Sequence, residues 1–186
     1  MSTQIAWGLA AQALLVAWVV WKFAARAPSR HRRLFAVAAA ALALIPLTDG
    51  ISAAMALRAL WGDPSVTTLQ LLALALAGRP AGIGRAPAAA LALFGIAFYA
   101  MALGLGDFDP YRLGYPGFPA IALAGVLGAA ALVAWRRGQP LYLWLLAVDL
   151  AVLALGLPES GNLWDVLFDP LLVGAALFAA IRPSRR

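Results

Sequence analysis

The chain has 186 residues, 64% hydrophobic and 12% charged, with fourteen Lys and Arg against eight Asp and Glu. A soluble domain carries about a quarter charged residues, so this composition excludes one and predicts an all-α, polytopic membrane bundle. With no cysteine, one histidine (His31) and one lysine (Lys22), disulfides, thiolate metal sites and Ser-His-Asp chemistry in the bundle are excluded; the net charge of +6 reads as membrane-flanking charge, not nucleic-acid affinity.

About seven membrane segments are predicted in one domain, over residues 4–23, 34–57, 64–78, 88–105, 118–135, 141–157 and 163–181. The first is read as retained, because "MSTQ" lacks a positive n-region. It ends in Lys22, Arg26, Arg30, Arg32 and Arg33. The second is interrupted by Pro46 and Gly50 and is either one kinked helix or two elements. The third has a helix-start signature, with Asp63 as N-cap and Pro64 first in the helix. "FDPY", Phe108 to Tyr111, reads as a turn or short helix start.

The last segment poses a choice. A helix starting at Pro170, capped by Asp169, would be only about 18 Å long at the helical rise. A start at Asn162 yields a spanning helix of roughly 28 Å with Asp165 in its first turn. That reading leaves Asp169 inside the helix, one turn below Asp165, with the Val166 carbonyl unused because Pro170 has no N–H.

Twelve of the fourteen basic residues lie in alternate loops, which leaves Arg58 and Arg112 on the other side. The positive-inside rule then predicts N-terminus out and C-terminus in, in the cell inner membrane. The acids are biased the opposite way. Asp49, Asp63, Asp107, Asp109, Glu159, Asp165 and Asp169 fall at or near the outer side, and Asp149 falls near the midplane, where a charge costs roughly 3 kcal/mol.

Candidate ligand-binding residues are therefore Asp49, Asp149, Glu159, Asp165 and Asp169, with Trp164, and with Arg58 and Arg112 as competing ion-pair partners. Gln12 and Gln70 are the amides at a depth to bond Asp149. No metal is assigned and no cofactor is expected; a carboxylate-bound cation fits the hard oxygen donors. Aromatics near the outer end, Trp7, Trp61, Tyr111, Tyr115, Trp164 and Phe168 among them, read mostly as an interfacial belt. Gly95, Gly104, Gly125, Gly128 and Gly174 read as helix-contact points.

"GLGD", Gly104 to Asp107, resembles the G-x-G-D motif of intramembrane aspartyl proteases over four residues. It departs from that family in lacking a Pro-Ala-Leu segment and in placing Asp107 at a helix end. The resemblance implies a catalytic dyad of Asp107 with Asp149 or Asp169, sharing one proton.

Three functions follow. The first is binding or translocation of a cation, proton or small cationic solute in an acidic, aromatic-lined outer cleft. The second is a non-catalytic subunit of an envelope complex. The third is a carboxylate-dependent intramembrane hydrolase or lipid-modifying enzyme. The partners expected are the lipid bilayer and other membrane subunits, with no nucleic acid.

Overall fold

The computed structural model describes residues 2–79 and 83–182. Among them it contains nine α-helices, three short 3-10 turns and no strand. Three helices are long and apolar enough to cross a membrane: Thr3–Arg26 with its terminal 3-10 turn, Arg85–Ala102 and Phe118–Arg136. The chain divides into two compact units. Of the described residues, one holds 2–64, 69–79 and 156–159; the other holds 65–68, 83–155 and 160–182.

In the first unit, α1 (Thr3–Phe23) begins at Ser2, whose hydroxyl accepts from the Ile5 amide at 3.3 Å. After Pro28 the chain enters α2 (Ser29–Leu44). Pro46, which cannot continue a helix, opens a tight turn closed by the Leu47 amide donating to the Ile51 carbonyl at 3.0 Å. Asp49 occupies this turn in the left-handed region (φ 57), a conformation Asp tolerates better than most residues. Then α3 (Ala53–Trp61) starts under the Ser52 cap, and Gly62 (φ 81) stops it. The second apolar segment is thus two elements. Both α2 and α3 pack on α1.

The next helix, α4 (Val66–Leu76), has its first turn in the second unit and the remainder in the first. The second unit continues with α5 (Arg85–Ala102), the 3-10 turn Pro110–Gly114, α6 (Phe118–Arg136), α7 (Pro140–Ala154), α8 (Leu163–Leu167) and α9 (Pro170–Ile181). Helix α5 packs against α9, α6 against α7, and α7 against α8; the 3-10 turn rests on α5, α6 and α8. Arg85 Nε donates to the Ala180 carbonyl at 3.1 Å, and Phe98 packs on Phe168, ring centroids 4.9 Å apart. These contacts tie opposite ends, so α5 and α9 run antiparallel. Gly95 lets them touch, because a Cβ there would lie 2.3 Å from Val173 Cγ2. Gly125, Gly128 and Gly174 face open space, so of the expected helix-contact glycines in helices only Gly95 is one. Along α6 the only buried side chain is Ala131, whereas Phe118, Ile121 and Val126 are exposed. A surface of that kind suits hydrocarbon, not water.

Candidate functional site

Asp169 starts α9. Its backbone is extended (φ −141, ψ 171), Pro170 takes the first helical turn, and Oδ1 accepts from the Leu172 amide at 2.7 Å. The continuous helix expected over 163–181 therefore does not form. The chain leaves the helix at Phe168 (φ −157, ψ 158) and begins again two residues later. Carrying Pro170 inside a helix would cost about 3 kcal/mol, while an Asp cap followed by Pro stabilises a new start.

The second oxygen of Asp169, Oδ2, accepts from the Ser65 amide at 2.6 Å. Ser65 is buried, and its Oγ accepts from the Thr68 amide at 3.1 Å and pairs with Thr68 Oγ1 at 2.9 Å. Ser65 is thus the N-cap of α4, which corrects the expectation that Asp63 caps it. Two residues on, Thr67 Oγ1 donates to Asp149 Oδ2 at 2.6 Å. Asp149 is 1% exposed on α7. Two buried carboxylates from distant parts of the sequence thus end on the four residues 65–68.

Thr67 supplies Asp149 with a hydroxyl that was not among the partners expected for it. Gln12 is buried in the first unit and donates Nε2 to the Gly62 carbonyl at 2.7 Å. Its Oε1 has no hydrogen-bond partner among the described residues. Gln70 sits half-buried on the part of α4 that belongs to the first unit.

Asp165 has a different partner. Its Oδ2 accepts from Tyr111 Oη at 2.5 Å, so it does more than favour the helix dipole. Around that bond the 3-10 turn is fastened to α8. Asn162 caps α8 through the Trp164 amide at 2.9 Å and donates Nδ2 to the Tyr111 carbonyl at 3.0 Å. Trp164 Nε1 donates to the Pro110 carbonyl at 3.0 Å. Asp109 caps the turn, as expected from "FDPY", by accepting from the Tyr111 amide at 2.9 Å. Burial and the hydrogen bond to Asp165 push the Tyr111 phenol well above its usual range. Phe94, Phe98, Tyr99, Tyr111, Trp164 and Phe168 interlock through ring contacts of 4.9–6.3 Å. Trp164 and Phe168 are buried, so these two and Tyr111 are packing core, not the interfacial belt expected.

The remaining acids are dispersed. In the first unit, Arg58 donates Nε to Asp63 Oδ1 at 2.7 Å and Nη2 to Asp63 Oδ2 at 3.0 Å; Nη2 also reaches Glu159 Oε2 at 2.7 Å. The Asp63 hydrogen bond holds the guanidinium proton more tightly than in a free arginine, against the opposing effect of partial burial. Gly8 makes room for this pair, since a Cβ there would fall 2.3 Å from Arg58 Nε and 2.6 Å from Asp63 Oδ1. Asp49 is exposed in its turn. Arg112 is exposed, its guanidinium 5.0 Å from the Phe108 ring centroid. Neither ion pair expected of Arg58 or Arg112 with Asp165 or Asp169 is formed among the described residues.

Asp107 is exposed after α5, in contrast to the buried Asp149 and Asp169. A shared-proton dyad needs two carboxylates in one water-poor site, and no hydrogen bond among the described residues joins Asp107 to either. Nor do the described residues include a group of three or more His, Asp or Glu placed to hold a metal.

Sequence reasoning missed the acceptor–donor pairs Asp149–Thr67 and Asp165–Tyr111. The "SVTT" run carried a signal for α4, a Ser cap with a hydroxyl at the third helical position. Tyr111 carried none, because its partner lies 54 positions away.

The fold and its interior define an all-helical protein with three helices able to cross a membrane. Set against known protein families, curated proteins and solved structures, the chain matches none.

Proposed function

We propose that this is a multi-pass inner-membrane protein that binds or passes a proton, the smallest member of the expected cation class, at Asp149. The observation that carries this reading is a carboxyl 1% exposed in an apolar helix and bonded to the Thr67 hydroxyl. A group held so far from water is costly when charged, and a proton is the ligand that removes that cost without requiring a cavity. Ser65, Thr68 and Asp169 extend the polar interior by further hydrogen bonds. Seven crossings with the N-terminus out agree with the basic ends of the three long helices, at Lys22 and Arg26, at Arg85, and at Arg136 and Arg137. A cytoplasm-active reporter fused after Arg33 or Arg137 should give signal, and one fused after Asp109 or Gly161 should not.

The direct test is proton flux in proteoliposomes containing a pH-sensitive dye, driven by a potassium diffusion potential. Wild type should acidify or alkalinise the lumen faster than empty vesicles. Asp149→Asn should reduce the rate to background while the protein stays folded. Equal rates for wild type, Asp149→Asn and empty vesicles would refute the proposal.

A second reading is favoured by the internal bonding of Asp165 and Asp169, which are committed to Tyr111 and to two backbone amides. Acids whose oxygens are already taken by internal donors suit a non-catalytic subunit of an envelope complex. Co-purification of stoichiometric membrane partners, together with absent flux, would favour it.

A further inference from the structure

The connection between α1 and α2 offers a strong positive charge, with no carboxylate paired to it among the described residues. Lys22, Arg26, Arg30, Arg32 and Arg33 fall within twelve positions, and no acid occurs before Asp49. The four outer members are exposed, but Arg32 is half-buried and fixed. Its Nε donates to the Trp21 carbonyl at 2.6 Å, and its guanidinium lies 3.8 Å from the Trp21 ring centroid. Stacking and one hydrogen bond spend the side-chain freedom that an arginine otherwise loses on binding. No carboxylate pairs with Arg32 among the described residues.

Two local features add to the imbalance. The first turn of α2 has no acid and no side-chain cap at Pro28, so cations sit at the positive end of that helix dipole, where anions are favoured. The membrane edge is also here. The first candidate span ends at Arg26, and Phe23 and Leu34 on either side of the connection are 87% and 60% exposed.

We infer that this connection binds the phosphate of an anionic phospholipid headgroup, with Arg32 as the preset contact and Arg26, Arg30 and Arg33 around it. Guanidinium groups match phosphate oxygens in a planar fork, and the flanking apolar side chains supply a place for acyl chains. Phosphate chemistry alone could also come from a free anion; the position at the end of a membrane helix commits the site to lipid. The inference stands independently of proton binding at Asp149.

The test uses the full chain in non-ionic detergent, titrated with dioleoylphosphatidylglycerol or dioleoylphosphatidylcholine, with bound lipid counted by native mass spectrometry. The anionic lipid should bind preferentially and be displaced by salt. Arg32→Gln should weaken it about fivefold, corresponding to about 1 kcal/mol per basic residue near a headgroup, and Arg32→Lys should recover only part because the stacked fork is lost. The double variant Arg136→Gln/Arg137→Gln should bind as wild type. Should Arg32→Gln fail to fold, Arg30→Gln/Arg33→Gln, both exposed, must show a loss of at least that size. Equal binding of the two lipids, equal losses at Arg136/Arg137, or displacement of lipid by millimolar inorganic phosphate would each overturn the inference.

Discussion

The amide of Ser65 donates to Asp169 Oδ2 at 2.6 Å while the amide of Leu172 donates to Oδ1 at 2.7 Å. One carboxylate therefore joins the N-cap of α4 to the first turn of α9. Asn caps a helix as well as Asp, but its side chain offers one acceptor oxygen where this site uses two. Asp169→Ala should lower stability in detergent by about 2–4 kcal/mol, a lost cap plus a stranded buried donor. Asp169→Asn should fall between alanine and wild type. Chemical denaturation of the three proteins decides it, and an alanine variant as stable as wild type would remove the double-cap account.

The Asp165–Tyr111 bond makes a coupled pair. Asp165→Ala and Tyr111→Phe should each cost about 1–3 kcal/mol, typical of a hydrogen bond to a charged group. The double variant should cost little more than the larger single change, because both remove the same bond. Additive losses would show that the two side chains act separately.

The same pair sets a pH dependence. Tyr111 titrates above its ordinary value in the folded protein, so its stabilisation is fully present below the unfolded value near 10. It is lost only as pH rises through the still higher folded value. Alkaline ultraviolet titration should show one late phenol fewer in Tyr111→Phe, and stability should be flat with respect to this group between pH 7 and 9.

Gly8 is the floor under the Arg58–Asp63 pair. Gly8→Ala should displace that pair and lower the thermal midpoint, even though alanine is the better helix former by about 1 kcal/mol. Arg58→Met in the Gly8→Ala background should lose less than Arg58→Met alone, since the ion pair is already disturbed. Stabilisation by Gly8→Ala would contradict the close approach.

Much of the helical order was legible because apolar runs and their terminators are local. Pro46 and the basic ends of α1 and α6 each mark a boundary that the structure keeps. The three Asp-Pro pairs show where locality fails. Asp109 caps as its neighbours imply. Asp63 does not, because Arg58, five residues before it, provides a charged partner and Ser65 takes over the cap. Asp169 does cap, although a requirement that each apolar run span the bilayer alone argued against it. Helix length was given too much weight there, and capping chemistry too little. The candidate site was legible as a set of acids but not as an arrangement, since Asp149, Asp165 and Asp169 each bond a residue 54 to 104 positions away.

The fastening of the 110–114 turn also bears on the order in which the protein is made. The Pro110 and Tyr111 carbonyls and the Tyr111 hydroxyl all find their partners in residues 162–165. When α5 and α6 have left the ribosome, those partners have not yet been synthesised. The turn must wait, unlocked, until the last two helices arrive. A chain cut short after Arg137 would carry both long helices of the second unit yet leave this turn without its fastening, recognisable to proteases as unfinished.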